Sequence, residues 1–102
     1  MQPQELAERM ACGNAPAVID VRTGIEFRDG HIPGALHAPI WKILLCLAKL
    51  PSNKEAEMVV LCELGPRAMM AKTLLGVIGF RNVSLLSGHM AGWRRSGLSM
   101  EK

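Results

Sequence analysis

The chain has 102 residues, 49% of them hydrophobic, which supplies one compact core over residues 1–102 and too little apolar surface for two. Twelve Lys and Arg against nine Asp and Glu leave a net charge of +3, dispersed apart from Arg94-Arg95, and only two Phe, two Trp and no Tyr accompany it. A nucleic-acid reader would carry a dense basic stripe interleaved with aromatics, so neither nucleic acid nor a membrane is expected as a partner.

The first ten residues carry Glu5, Glu8 and Arg9 among apolar positions and lack the basic start and apolar run of a signal peptide. Residues 5–10 are good helix formers, with Leu6 and Met10 on one face and Gly13-Asn14 as a stop. Ala17-Val18-Ile19-Asp20-Val21 reads as a strand buried on both faces, carrying Asp20 and Arg22 at its carboxyl end. Residues 24–27 suggest a helical turn, residues 29–34 are too rich in turn formers to be other than a loop, and residues 35–38 form a very short strand.

Ile40, Ile43, Leu44 and Leu47 recur at helical spacing, which predicts a second main helix over residues 40–50 with Lys42 and Lys49 towards solvent. The longest apolar run, residues 43–48, is far below the roughly twenty residues of a membrane-spanning helix. Met58-Val59-Val60-Leu61-Cys62 is the clearest strand, and Gly65-Pro66 turns it into a helix over residues 66–78, with Met70, Leu74 and Ile78 repeating every four residues and Gly79 as its stop. Residues 82–86 form the last strand and residues 89–95 a closing helix, whose Met90 and Trp93 are read as core. Strand and helix alternate, so the expected fold is α/β, a small parallel β-sheet with helices on both faces. In such sheets sites form outside the carboxyl ends of the strands, where Cys62 lies.

The cysteines, Cys12, Cys46 and Cys62, are odd in number and widely spaced, which fits a reducing compartment such as the cytoplasm rather than a disulfide framework. His31, His37 and His89 are equally scattered, so no metal site and no cofactor are expected. Cys12 and Cys46 are read as small buried hydrophobes. Cys62 differs, because the six-residue loop Cys62-Glu63-Leu64-Gly65-Pro66-Arg67 places it at a helix start. A thiol reacts as its thiolate, a form favoured by a helix N-terminus and a fixed cation. The amides of Glu63, Leu64, Gly65 and Arg67 can converge on an anion there, with Gly65 permitting the tight backbone approach and Arg67 adding charge.

Asp20-Val21-Arg22 with Glu26-Phe27, then Gly30-His31-Ile32-Pro33-Gly34-Ala35, then Cys62-x-x-Gly65-x-Arg67, and finally Ser87-Gly88 with Trp93, resemble the single-domain rhodanese family in order and spacing across nearly the whole chain. The resemblance implies a rhodanese-like fold and a sulfurtransferase of the thiosulfate:cyanide class. Cys62 would accept a sulfane sulfur, carry it as a persulfide and release it to a thiol or cyanide, with Glu63, Leu64, Gly65, Pro66 and Arg67 as the binding loop. The donor implied is small, thiosulfate or a persulfide, or else a protein persulfide, and the chain is expected to act as a monomer. Asp20, Arg22, Glu26 and His31 match family positions and are assigned to scaffolding.

Two departures bear on the donor: Glu63 sets a negative charge where thiosulfate would approach, and Pro66 removes one amide from the cradle. His89 stands where a second glycine often follows Gly88 in the family, and its ring is placed by sequence neither at the site nor in solvent. One rival is a phosphatase or arsenate reductase of the same fold, whose loop holds one more residue between cysteine and arginine. Another is a sulfur carrier or docking module that passes sulfur only within a complex.

Overall fold

A computed structural model describes residues 1–102. In chain order the elements are α1 (Pro3–Ala11), β1 (Ala17–Asp20), α2 (Gly24–Asp29), β2 (Leu36–His37), α3 (Ile40–Leu44), β3 (Met58–Leu61), α4 (Pro66–Ile78), β4 (Val83–Leu85) and α5 (His89–Arg95). The strands form one sheet in the order β2-β1-β3-β4, every neighbouring pair parallel, with Ile19 of β1 opposite both Leu36 and Val60.

The central strands β1 and β3 bury both faces, which is why they read as continuous apolar runs. Ile19, Val21, Met58, Val60 and Cys62 point to one face, packed by Ile43 of α3 and Ala68, Ala71 and Leu75 of α4. Val18, Val59 and Leu61 point to the other, packed by Leu6 of α1 and by Met90 and Trp93 of α5. The fold is thus the expected α/β one, and the side chain of Cys62 falls on the α4 side of the sheet. No helix is long and apolar enough to cross a membrane.

Three expectations are corrected. The helix expected over residues 40–50 ends at Leu44, because Cys46 takes a left-handed conformation with φ of 58° and the amides of Leu47 and Ala48 both fold back onto the Lys42 carbonyl. Leu44 and Leu47 are left exposed. On α4 the buried face is Ala68, Ala71 and Leu75 with Leu74 half-buried at its edge, whereas Met70 and Ile78, which share the four-residue repeat with Leu74, turn outward; small alanines let the helix lie close to the sheet. Cys12 and Cys46, read as buried, are both exposed, Cys12 as the C-cap of α1 and Cys46 in the turn after α3.

Beyond β1, Asp20 and Arg22 form an ion pair with side chains 0% and 1% exposed. Arg22 Nε and Nη2 both reach the Asp20 carboxylate, and Nη2 also donates to the Gly30 carbonyl at 2.7 Å. This network fastens the 30–34 loop to the end of β1. Breaking a buried pair strands a charge without its counter-ion, at a cost of about 3–5 kcal/mol. Arg22→Met should therefore lower the urea-unfolding free energy by about that amount; a loss under about 1 kcal/mol would show that Asp20 finds another partner.

Candidate functional site

After Leu61 the chain leaves the sheet and turns through Gly65, whose φ of +135° is a conformation that L side chains rarely adopt. A Cβ there would stand 3.2 Å from Nε2 of His89, so both backbone and space require glycine. In this conformation the Gly65 amide donates to Sγ of Cys62 at 3.0 Å. Pro66 then starts α4, where its missing N–H costs nothing. The amides of Glu63, Leu64, Arg67 and Ala68 have no acceptor within the chain. They are the unpaired donors of a strand end and a helix start, and all lie within six residues after Cys62, in the loop and the first turn of α4.

Cys62 itself is 0% exposed. A cavity of about 260 Å³ is lined by Glu26, Cys62, Glu63, Leu64, Pro66 and Arg67, and is the opening through which a donor would reach the sulfur. Every residue of the expected binding loop except Gly65 lines that cavity, and Gly65 bonds the sulfur from within. Leu64, 75% exposed, stands at the opening.

The charges around the opening are matched in pairs. Arg67 makes a bidentate contact with Glu26 at 2.6 and 3.0 Å, and Glu26, an N3 residue of α2, is also held by a reciprocal capping box with Thr23. The Arg67 contact, helped by the Thr23 backbone, lowers the Glu26 carboxyl to about 2. Glu63, read from sequence as a bare negative charge, is instead clamped by Arg94 through both guanidinium nitrogens and approached by Arg22 at 3.5 Å. Arg94 holds its carboxyl below the usual carboxylate range. Glu26, assigned to scaffolding with Asp20 and Arg22, belongs to a separate pair and forms part of the cavity wall.

His31 lies away from the sulfur route. Its Nδ1 sits 2.8 Å from the Phe27 carbonyl, its ring stacks on Phe27 at 3.7 Å, and its backbone pairs in both directions with Glu101. His89, which the sequence left unplaced, is buried against the loop: its Nδ1 accepts the Cys62 amide proton at 3.3 Å.

A family model described as a rhodanese-like domain matches residues 2–96. The chain belongs to the rhodanese family. A sulfurtransferase of Allochromatium vinosum is 32% identical over 95 residues, covering 93% of this chain and 87% of that protein. A putative sulfur carrier protein of Bacillus subtilis is 30% identical over 76 residues, which cover 74% of this chain but only 40% of that protein. Among solved structures, the Alr3790 protein from Anabaena sp. is 31% identical and superposes with a TM-score of 0.89, over 99% of this chain and 81% of the other. This rhodanese chain thus spans most of one relative and less than half of another.

Within the rhodanese fold, sequence reasoning found the cysteine loop but missed three parts of its surroundings: the Arg67–Glu26 wall, the Arg94 clamp and the His89 contact. The first had a signal, since Thr23-x-x-Glu26 is a capping box that fixes a carboxylate at the start of α2. The other two depend on residues 31 and 27 positions away, which no local pattern exposes.

Proposed function

We propose that this protein is a sulfurtransferase in which the Cys62 thiolate takes a sulfane sulfur from a persulfide donor and carries it, as a persulfide, to a thiophilic acceptor. The observation that carries the reading is the Gly65 amide aimed at Sγ from a loop with four further unpaired amides, at the inner end of a 260 Å³ cavity. Donors fixed in that way stabilise negative charge on sulfur without reorganising during the reaction.

The chemistry balances without an outside oxidant. The Cys62 thiolate attacks the outer sulfur of R–S–S⁻, the new S–S bond forms as the old one breaks, and R–S⁻ departs with the electron pair. An acceptor such as cyanide then attacks the outer sulfur, forming thiocyanate and returning the Cys62 thiolate. Covalent catalysis divides the transfer into two displacements at one atom.

The donor class follows from the charges. Arg22, Arg67 and Arg94 are each engaged by a carboxylate, so none of the three is a free cation that would draw in a dianion. Glu63 is neutralised by Arg94, so it does not bar anions either. A persulfide, which presents one charged sulfur and sets its organic body against exposed Leu64, fits this opening better than thiosulfate, which is ionic at both ends. Glutathione persulfide and thiosulfate should be compared in parallel with cyanide as acceptor. The expected kcat/KM is about tenfold or more higher for the persulfide, the size of effect that steering by an unpaired charge would reverse. A higher value for thiosulfate would overturn this assignment, and loading without turnover by either donor would make the protein a carrier. Four residues between Cys62 and Arg67 also make a loop too tight for a phosphoryl group, so hydrolysis of an aryl phosphate should stay at the level of Cys62→Ser.

A further inference from the structure

His89 occupies an unusual backbone position. It follows Gly88, whose φ is +76°, and itself has a φ of +54°, so two successive residues at the start of α5 lie in the left-handed region. Glycine accepts this freely, whereas a bulky side chain is held there only when its surroundings fix it. His89 is nonetheless 8% exposed, its ring turned inward beneath the Cys62 loop.

The ring makes two contacts that bear on the sulfur. Nδ1 accepts the amide proton of Cys62 at 3.3 Å, so Nδ1 carries no proton and the ring's single proton resides on Nε2. Burial pushes the imidazole below its ordinary value, which keeps that neutral form in place at physiological pH. The Nε2 and Cδ2 edge fills the space under Gly65, at 3.2 and 3.4 Å from where a Cβ would project. Gly65 in turn supplies the amide on Sγ. The backbone reinforces the same joint, since the amide of Met90 donates to the Cys62 carbonyl at 3.0 Å and that of Ala91 to the Glu63 carbonyl at 3.3 Å.

We infer that His89 is a positioning residue for sulfur transfer: through Nδ1 it orients the Cys62 backbone and withdraws that amide from the cradle, and through its ring edge it holds Gly65 with its N–H on Sγ. The role deepens the persulfide reading and rests on it for the kinetics, although the ring geometry stands without it. With the Cys62 amide taken up by His89, the amides left to hold an outer sulfur are that of Gly65 and the unpaired ones of residues 63, 64, 67 and 68, and their placement depends on a side chain outside the cavity lining.

Two measurements test this, one of them independent of any donor. In the ¹⁵N spectrum of the histidine rings at neutral pH, Nδ1 of His89 should resonate as an unprotonated acceptor and Nε2 as protonated. An Nδ1–H tautomer or an imidazolium would overturn the inference, whatever the sulfur chemistry proves to be. The kinetic test uses variants that tolerate a left-handed backbone. H89G removes both the acceptor and the ring edge and should lower kcat/KM for sulfur transfer about tenfold or more. H89N places an amide oxygen near the Nδ1 position and should recover most of that loss. Urea unfolding of each variant confines the comparison to folded protein, and the ring tautomer of the wild type decides the matter if H89G is unfolded. Wild-type kinetics in folded H89G, or a folded H89N as slow as H89G, would overturn the role. If wild-type protein transfers no sulfur while the tautomer is as expected, the sulfurtransferase reading fails and the His89 geometry stands.

Discussion

Cys62→Ser should abolish sulfur transfer, lowering kcat/KM by at least about a thousandfold with every donor, while the protein stays folded. The hydroxyl is similar in size to the thiol and can accept the same Gly65 proton, so the buried site keeps its packing and its hydrogen bond. What disappears is chemistry: an alcohol does not ionise near neutral pH and does not form a persulfide. Cys12 and Cys46 are exposed and lie outside the cavity, so their Ser variants should transfer sulfur at the wild-type rate. Steady-state cyanide-linked turnover of the three variants checks this, and a Cys62→Ser enzyme within about tenfold of wild type would remove Cys62 from the mechanism.

Gly65→Ala should have the next largest effect, on activity more than on stability. The residue holds a φ of +135°, and the added methyl would meet His89 Nε2 at 3.2 Å, so the ring or the strained loop must give by a few tenths of an ångström. Backbone strain of this kind costs about 1–3 kcal/mol. The shift carries the Gly65 amide off Sγ, and loss of one oriented donor of this type slows reactions by about a hundredfold. Single-turnover formation of the Cys62 persulfide measures the loss directly. A near-normal rate in a folded Gly65→Ala protein would mean that the remaining amides of the loop suffice without Gly65.

The parts of the fold legible in the sequence are those where local chemistry and tertiary packing agree. Val59, Val60 and Leu61 are β-branched or apolar without a break because β3 is covered on both faces, and Gly65-Pro66 marks the start of α4 because the N-cap conformation calls for glycine and the first helical position accepts proline. Where packing is decided by distance rather than hydrophobicity, the pattern misleads. Met70 and Ile78 are bulkier and more apolar than Ala68 and Ala71, yet the alanines face the sheet beside Leu75 and let the helix lie close to it. The apolar spacing from Ile40 to Leu47 continues past the real end of α3, which is set by the left-handed turn at Cys46.

The site divides in the same way. The proposed nucleophile loop is contiguous in sequence, and the structure brings all its members but Gly65 to the lining of one cavity. The character of the opening is not contiguous. Glu63 looked like a barrier to anions until Arg94, from the other face of the sheet, met its carboxylate. Arg67 looked like a free cation until Glu26 from α2 took both its nitrogens. The Arg67 pairing removes a cation that would draw in a dianion and the Glu63 pairing removes a barrier to anions, so the proposed persulfide donor rests on fit at the opening more than on charge.

The central claim is that sulfur travels on Cys62. Mass analysis of the intact protein after brief exposure to glutathione persulfide, followed by peptide mapping, tests it most directly. The account predicts one added sulfur, located on the peptide containing Cys62, removed by cyanide and absent from Cys62→Ser. An added sulfur on Cys12 or Cys46 with Cys62 unmodified, or one that persists in Cys62→Ser and turns over with cyanide, would contradict it.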